Sequence, residues 1–125
     1  MSKAAKKPEN VIGMHYFSPV PKMPLLEIIK TDQTSEETLA TCYEIGKRQG
    51  KTCIVVNDMP GFYVNRILCP YLIEGLLMIE EGVRIEDIDG ALTSLGMPIG
   101  PITLLDEVGI DVGAHVMSGN MAQLL

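Results

Sequence analysis

The run Leu25-Leu26-Glu27-Ile28-Ile29 constrains the fold more than any other part of this 125-residue chain. Its apolar residues do not alternate with polar ones, which is the pattern of a strand covered on both faces. The chain also supplies a connection for such a strand. Ahead of a second β-rich run, Thr52 to Val56, the residues Leu39, Cys42, Tyr43 and Gly46 recur at helical spacing. Thr34 and Glu37 precede them in the capping-box arrangement, and Gly50 supplies the stop. A helix joining two strands over this length is a crossover, so the strands are expected to lie parallel in one sheet. A further β-rich run, Val11 to Phe17, comes first. It is separated from Leu25 by Ser18-Pro19-Val20-Pro21-Lys22-Met23-Pro24, whose three prolines lack backbone donors and make a stiff connector.

The chain changes character at Asp58-Met59-Pro60-Gly61, which is turn chemistry. From Phe62 to about Glu80, the residues Val64, Ile67, Leu68, Tyr71, Leu72, Leu76 and Ile79 fall at helical spacing, with Pro70 inside to bend the helix and Gly82 to end it. Ile85, Ile88, Ala91, Leu92 and Leu95 mark a second helix. A third opens at Pro101 with Ile102, Leu104, Leu105 and Val108, and a fourth starts after Gly109 and is still running at Leu125. A helical pattern that stops uncapped reads as a cut chain. The expected fold class is α/β followed by all-α, divided into residues 1–59 and 60–125.

Composition narrows the function. With 46% hydrophobic residues there is material for a packed core. Ten Lys and Arg against sixteen Asp and Glu give a formal charge of −6, the wrong sign for neutralising nucleic-acid phosphates. Cys42, Cys53 and Cys69 are odd in number and widely spaced, so they read as reduced thiols of an intracellular protein. The two histidines, His15 and His115, have no cysteine at ligand spacing, and no metal site is expected. No apolar run reaches the roughly 18 residues of a spanning helix, and no hydrophobic stretch follows Lys3, Lys6 and Lys7.

Two residues stand out chemically. Glu27 is a carboxylate in an otherwise apolar strand, and burying it without a partner is costly. Strands paired through the proline loop would stand about 4.8 Å apart, which brings His15 into reach. A carboxylate on one imidazole nitrogen fixes the tautomer and leaves the other nitrogen as a general base. The same pair also reads as a histidine satisfied in the core. Asn65 lies in the first turn of the long helix, where the positive end of the dipole favours developing negative charge and an amide can hold an oxygen. Taken by itself, it reads first as an ordinary polar residue tolerated near a helix start. His115 is taken as a core-edge residue, and the eight methionines as core filling.

Three separated segments resemble one family. Gly13-Met14-His15-Tyr16-Phe17-Ser18-Pro19-Val20, Leu25-Leu26-Glu27-Ile28-Ile29 and Asp58-Met59-Pro60-Gly61-Phe62-Tyr63-Val64-Asn65-Arg66 look like the 3-hydroxyacyl-CoA dehydrogenases. The wording is nearest to the dehydrogenase part of the multifunctional α chain of mitochondrial fatty-acid β-oxidation, the trifunctional-protein type. In the helical tail, Met97-Pro98-Ile99-Gly100-Pro101 and Leu104-Leu105-Asp106-Glu107-Val108-Gly109 also fit. The resemblance implies the closing strands of a doubly wound, Rossmann-like NAD-binding domain followed by the start of a helical C-terminal domain. It implies His15 as catalytic base and Glu27, twelve residues later, as the group that orients it. Asn65, fifty residues after His15, would contact substrate. Ser18 stands where many members carry Asn near the nicotinamide, and is a candidate cofactor contact. The implied reaction is reversible oxidation of an L-3-hydroxyacyl-CoA to the 3-ketoacyl-CoA with NAD+, in the mitochondrial matrix, a peroxisome or a bacterial cytoplasm.

No G-x-G-x-x-G turn occurs in the sequence. The chain is therefore expected to be a fragment that carries the catalytic pair without the dinucleotide floor, inactive alone and prone to self-association as a homo-oligomer or part of a larger chain. The competing readings are a non-catalytic oligomerisation module, with His15 and Glu27 a structural pair, and an acyl-CoA-binding remnant.

Overall fold

The computed structural model describes residues 4–118. They form two compact units that meet in sequence between Tyr63 and Val64. In the first, a single-turn 3-10 segment Pro8–Asn10 leads into β1 (Gly13–Tyr16), β2 (Leu25–Lys30), α1 (Glu36–Arg48) and β3 (Thr52–Asn57). The sheet order is β1-β2-β3, with β1 antiparallel and β3 parallel to β2. The crossover predicted from the helical spacing is present, and β2 is the central strand.

Its position explains its composition. Leu26, Glu27 and Ile28 are fully buried and Ile29 nearly so, and burial of each aliphatic side chain is worth about 1.5–3 kcal/mol. Gly46 sets how closely α1 can lie on the sheet. A Cβ there would stand 2.5 Å from the Cys53 sulfur and 2.8 Å from a Leu26 methyl, so only glycine admits this approach. The proline connector is pinned from the far side of the crossover. Lys51 Nζ donates to the carbonyls of Val20 at 2.5 Å and Met23 at 2.8 Å, and the Thr52 amide donates to Pro24 O at 2.7 Å.

The cap of α1 differs from the expected one. Ser35, not Thr34, is the N-cap, its hydroxyl accepting from the Thr38 amide at 3.2 Å. Thr34 instead ties the loop after β2 to the segment ahead of β1, accepting from Thr31 N and donating to Val11 O. Thr34 and Ser35 are equally good caps by residue type, and the tertiary acceptor at Val11 decides between them. Tyr43 was expected on the packed face of α1 but keeps 38% of its surface exposed, because Gly46 and Leu26 carry the contact.

The second unit holds α2 (Val64–Glu80), α3 (Ile85–Ser94), α4 (Pro101–Val108) and α5 (Ile110–Ser118). α2 continues through Pro70 and starts at Val64, because Phe62 has a left-handed φ of 46° that no helix accommodates. Cys69 and Leu72 from α2, Ile88 from α3 and Leu105 from α4 are buried. Asp89 on α3 caps a neighbour rather than its own helix. Its carboxylate accepts from the α4 amides of Ile102 at 3.0 Å and Thr103 at 2.9 Å, and from the Thr103 hydroxyl at 2.6 Å. Desolvation pushes this carboxyl up, but the three hydrogen bonds outweigh it and hold the group below the ordinary carboxylate value. α5 begins where the sequence placed it; its expected extension to Leu125 lies outside the described residues. His115, expected at the core edge, is exposed.

Candidate active site

The strand register brings the first two candidates together. His15 on β1 lies directly opposite Glu27 on β2, and side chains of directly opposed residues emerge on the same face of a sheet. His15 Nδ1 and Glu27 Oε2 are 2.7 Å apart. The imidazole is 32% exposed and the carboxylate fully buried, so one end of the pair reaches solvent and the other does not. Glu27 Oε1 accepts from the Tyr63 amide at 3.0 Å. A carboxylate only accepts, so the Nδ1 contact is made as a donor and Nε2 is left as the basic nitrogen.

Two phenyl rings stand beside the imidazole. Phe17 has its centroid 4.6 Å from that of His15 at 51°, and Phe62 lies at 5.7 Å and 56°. Phe17 follows His15 by two residues, the spacing that keeps side chains on one face of an extended segment. Phe62 arrives through the turn after β3. Gly61 at φ 71° and Phe62 at φ 46° are both left-handed; for a residue with a β-carbon that conformation costs about 1–2 kcal/mol. Hydrogen bonds hold the turn closed. The Phe62 amide donates to Met59 O at 2.9 Å, Met59 N to Asn57 O at 2.9 Å, and Tyr63 N to Glu27. Phe62 also lines a recess of about 330 Å³ with Val11, Gly13, Ile29 and Asp58.

Asn65, the third candidate, belongs to the second unit. It is the second residue of α2 and half-buried. There it borders a cavity of about 220 Å³ whose other walls include Leu68, Cys69, Leu72, Leu105 and Val108. Burial pushes the Cys69 thiol up, which keeps it protonated and unreactive. Ser18 is exposed in the loop after β1, at a cis Ser18–Pro19 peptide. Among the described residues no group of three or more His, Cys, Asp or Glu is placed to hold a metal ion, and no helix is long and apolar enough to cross a membrane.

Sequence reasoning found the pair but not its supports. Phe17 was legible in principle from its spacing to His15. Tyr63 acts through its backbone amide, which no side-chain pattern reports, and the role of Phe62 depends on a backbone conformation that residue type argues against.

Comparison with known proteins accounts for both units. Residues 1–59 match the 3-hydroxyacyl-CoA dehydrogenase, NAD binding domain, and residues 61–125 match the 3-hydroxyacyl-CoA dehydrogenase, C-terminal domain. The chain is 56% identical over 117 residues to the fatty acid oxidation complex subunit alpha of Vibrio campbellii, covering 94% of this chain and 17% of that protein. Among solved structures it is similar to (S)-3-hydroxybutyryl-CoA dehydrogenase from Ralstonia eutropha, with a TM-score of 0.88, 41% identity, and coverage of 93% of this chain and 42% of that one. The 3-hydroxybutyryl-CoA dehydrogenase of Escherichia coli K12 gives 0.87 and 37%, over 93% of this chain and 25% of that one. The chain thus spans less than half the length of each of these relatives.

The sheet unit therefore holds the closing strands of a Rossmann-like domain whose cofactor is NAD. Its described residues do not fit the pyrophosphate of that cofactor. α1 opens with Glu36 and Glu37, which place negative charge at the helix end where a phosphate needs positive potential. The Ser35 hydroxyl there is already engaged with Thr38. What the two units do hold, a carboxylate-bound histidine on the strands and an asparagine at the opening of the helical part, falls within the two matched domains. On these grounds the chain belongs to the 3-hydroxyacyl-CoA dehydrogenase family.

Proposed function

We propose that this chain supplies the proton-handling part of an L-3-hydroxyacyl-CoA dehydrogenase of fatty-acid oxidation. The observation that carries this reading is the 2.7 Å contact between a part-exposed imidazole and a fully buried carboxylate. His15 Nε2 takes the proton of the substrate 3-hydroxyl as that carbon is oxidised to the ketone, and returns it in the reverse direction. Glu27 fixes the Nδ1–H tautomer and offsets the charge that forms on the imidazole. Asn65 holds the reacting oxygen at the start of α2, where the helix dipole favours negative charge. Its setting, one amide beside an otherwise apolar cavity, suits a substrate with an oxygen on a hydrocarbon chain. Ser18 is assigned a minor contact to the cofactor from its place three residues after His15.

The dinucleotide is held, in this reading, by a Gly-rich unit that these 125 residues do not contain. Isothermal titration of NAD+ into the chain should accordingly show no micromolar binding. The base is tested in a chimera in which the chain replaces the matching segment of the Vibrio campbellii subunit alpha. His15→Gln should lower acetoacetyl-CoA reduction by about 100-fold or more, and unchanged turnover would remove His15 from the mechanism. The names of the bacterial relatives favour a role in a fatty acid oxidation complex.

A further inference from the structure

Phe62 occupies a backbone conformation that its own residue type disfavours. The position follows Gly61, and both are left-handed. A glycine or asparagine would meet the turn with less strain. The turn's own hydrogen bonds, Phe62 N to Met59 O and Tyr63 N to Glu27 Oε1, are made by the backbone of residues 62 and 63 and would survive a change of side chain. What a smaller residue would lose is the ring, which stands against the imidazole of His15. Strain kept where the side chain touches a candidate base points to a requirement for that side chain.

We propose that Phe62 is a positioning residue for His15: the strained Gly61-Phe62 turn presents a phenyl ring to the imidazole while the next amide, Tyr63, anchors the carboxylate that holds Nδ1. One short segment thereby fixes both partners of the pair. The Tyr63 amide sets the position of Glu27, and Phe62, with Phe17, limits rotation of the imidazole about χ2 and shields the Nδ1–H···Oε2 bond from water. The consequence drawn for catalysis rests on the proposed role of His15 as base; the structural effect on the imidazole does not.

The test reads the imidazole directly. The chain has two histidines, and His115 is exposed, so a slowly exchanging imidazole N–H signal in 15N-histidine-labelled protein reports on His15 alone. In Phe62→Gly, which relaxes the backbone and removes the ring, this signal should vanish or exchange with solvent roughly tenfold faster, in keeping with the worth of an aromatic contact. Phe62→Tyr should restore it. Phe62→Leu keeps the backbone strain and most of the volume without the ring, so it should resemble Phe62→Gly and serves as the readout should the glycine variant unfold. A protected N–H in folded Phe62→Gly or Phe62→Leu would overturn the proposal. These measurements need no turnover, so they stand or fall separately from the His15→Gln assay.

Discussion

Glu27 lies directly opposite His15 in the antiparallel register of β1 and β2, and its second oxygen is bound by the Tyr63 amide. The carboxylate is therefore a structural hub as well as a partner of the imidazole. Glu27→Ala removes the acceptor of the His15 Nδ1–H and of the Tyr63 amide and should cost about 3 kcal/mol of stability. Glu27→Gln keeps an oxygen for Tyr63 and should cost markedly less. Urea unfolding followed by circular dichroism distinguishes the two, and equal losses would show that the Tyr63 bond contributes nothing.

The contact of α1 with the sheet depends on a missing side chain. Gly46→Ala would force the helix away from Cys53 and Leu26, where there is no free space. Overpacking of this kind costs about 1–3 kcal/mol, although alanine is the better helix former. A lower thermal midpoint in Gly46→Ala is the expected result, and a higher one would mean that helix propensity outweighs the close packing of α1 on β2.

Acid should loosen the helical unit through Asp89. Its carboxyl titrates lower in the folded protein than in the unfolded chain, so it contributes stability that is fully present above the unfolded value near 4. That contribution is lost as pH falls through the lower folded value. Asp89→Ala should lose about 1–2 kcal/mol at neutral pH and show a flatter decline as pH falls below the unfolded value near 4. Thermal melts across that range check the slope, and parallel curves for the two proteins would contradict the assignment.

The helical unit leaves large apolar side chains in water, among them Leu95 at 81% and Ile110 at 69% exposure. We expect the 125-residue chain to self-associate through such surface. Light scattering should show mass rising with concentration, whereas a monomer at high concentration would count against the expectation.

What was legible in the sequence follows from which physical terms are local. The unbroken apolar run around Glu27 announced a central strand, and the helical spacing from Leu39 to Gly46 announced the crossover, because period and burial are written residue by residue. His15 and Glu27 could be paired because a buried carboxylate needs a partner and few were available. The cap of α1 was misplaced by one residue because the choice between Thr34 and Ser35 is made by Val11, distant in sequence. Exposure of His115 and Tyr43 was not legible, since periodicity gives a face but not what covers it. The supports of the imidazole depended on backbone geometry at Phe62 and on a main-chain amide at Tyr63, neither of which has a side-chain signature.

If His15 and Glu27 act as one catalytic unit, a double-mutant cycle on turnover in the chimera will show it. His15→Gln should lower kcat by about 100-fold or more, and adding Glu27→Gln to it should lower kcat by less than about threefold further, as expected for residues that function only together. Losses that multiply would show the two residues acting independently and would contradict the account.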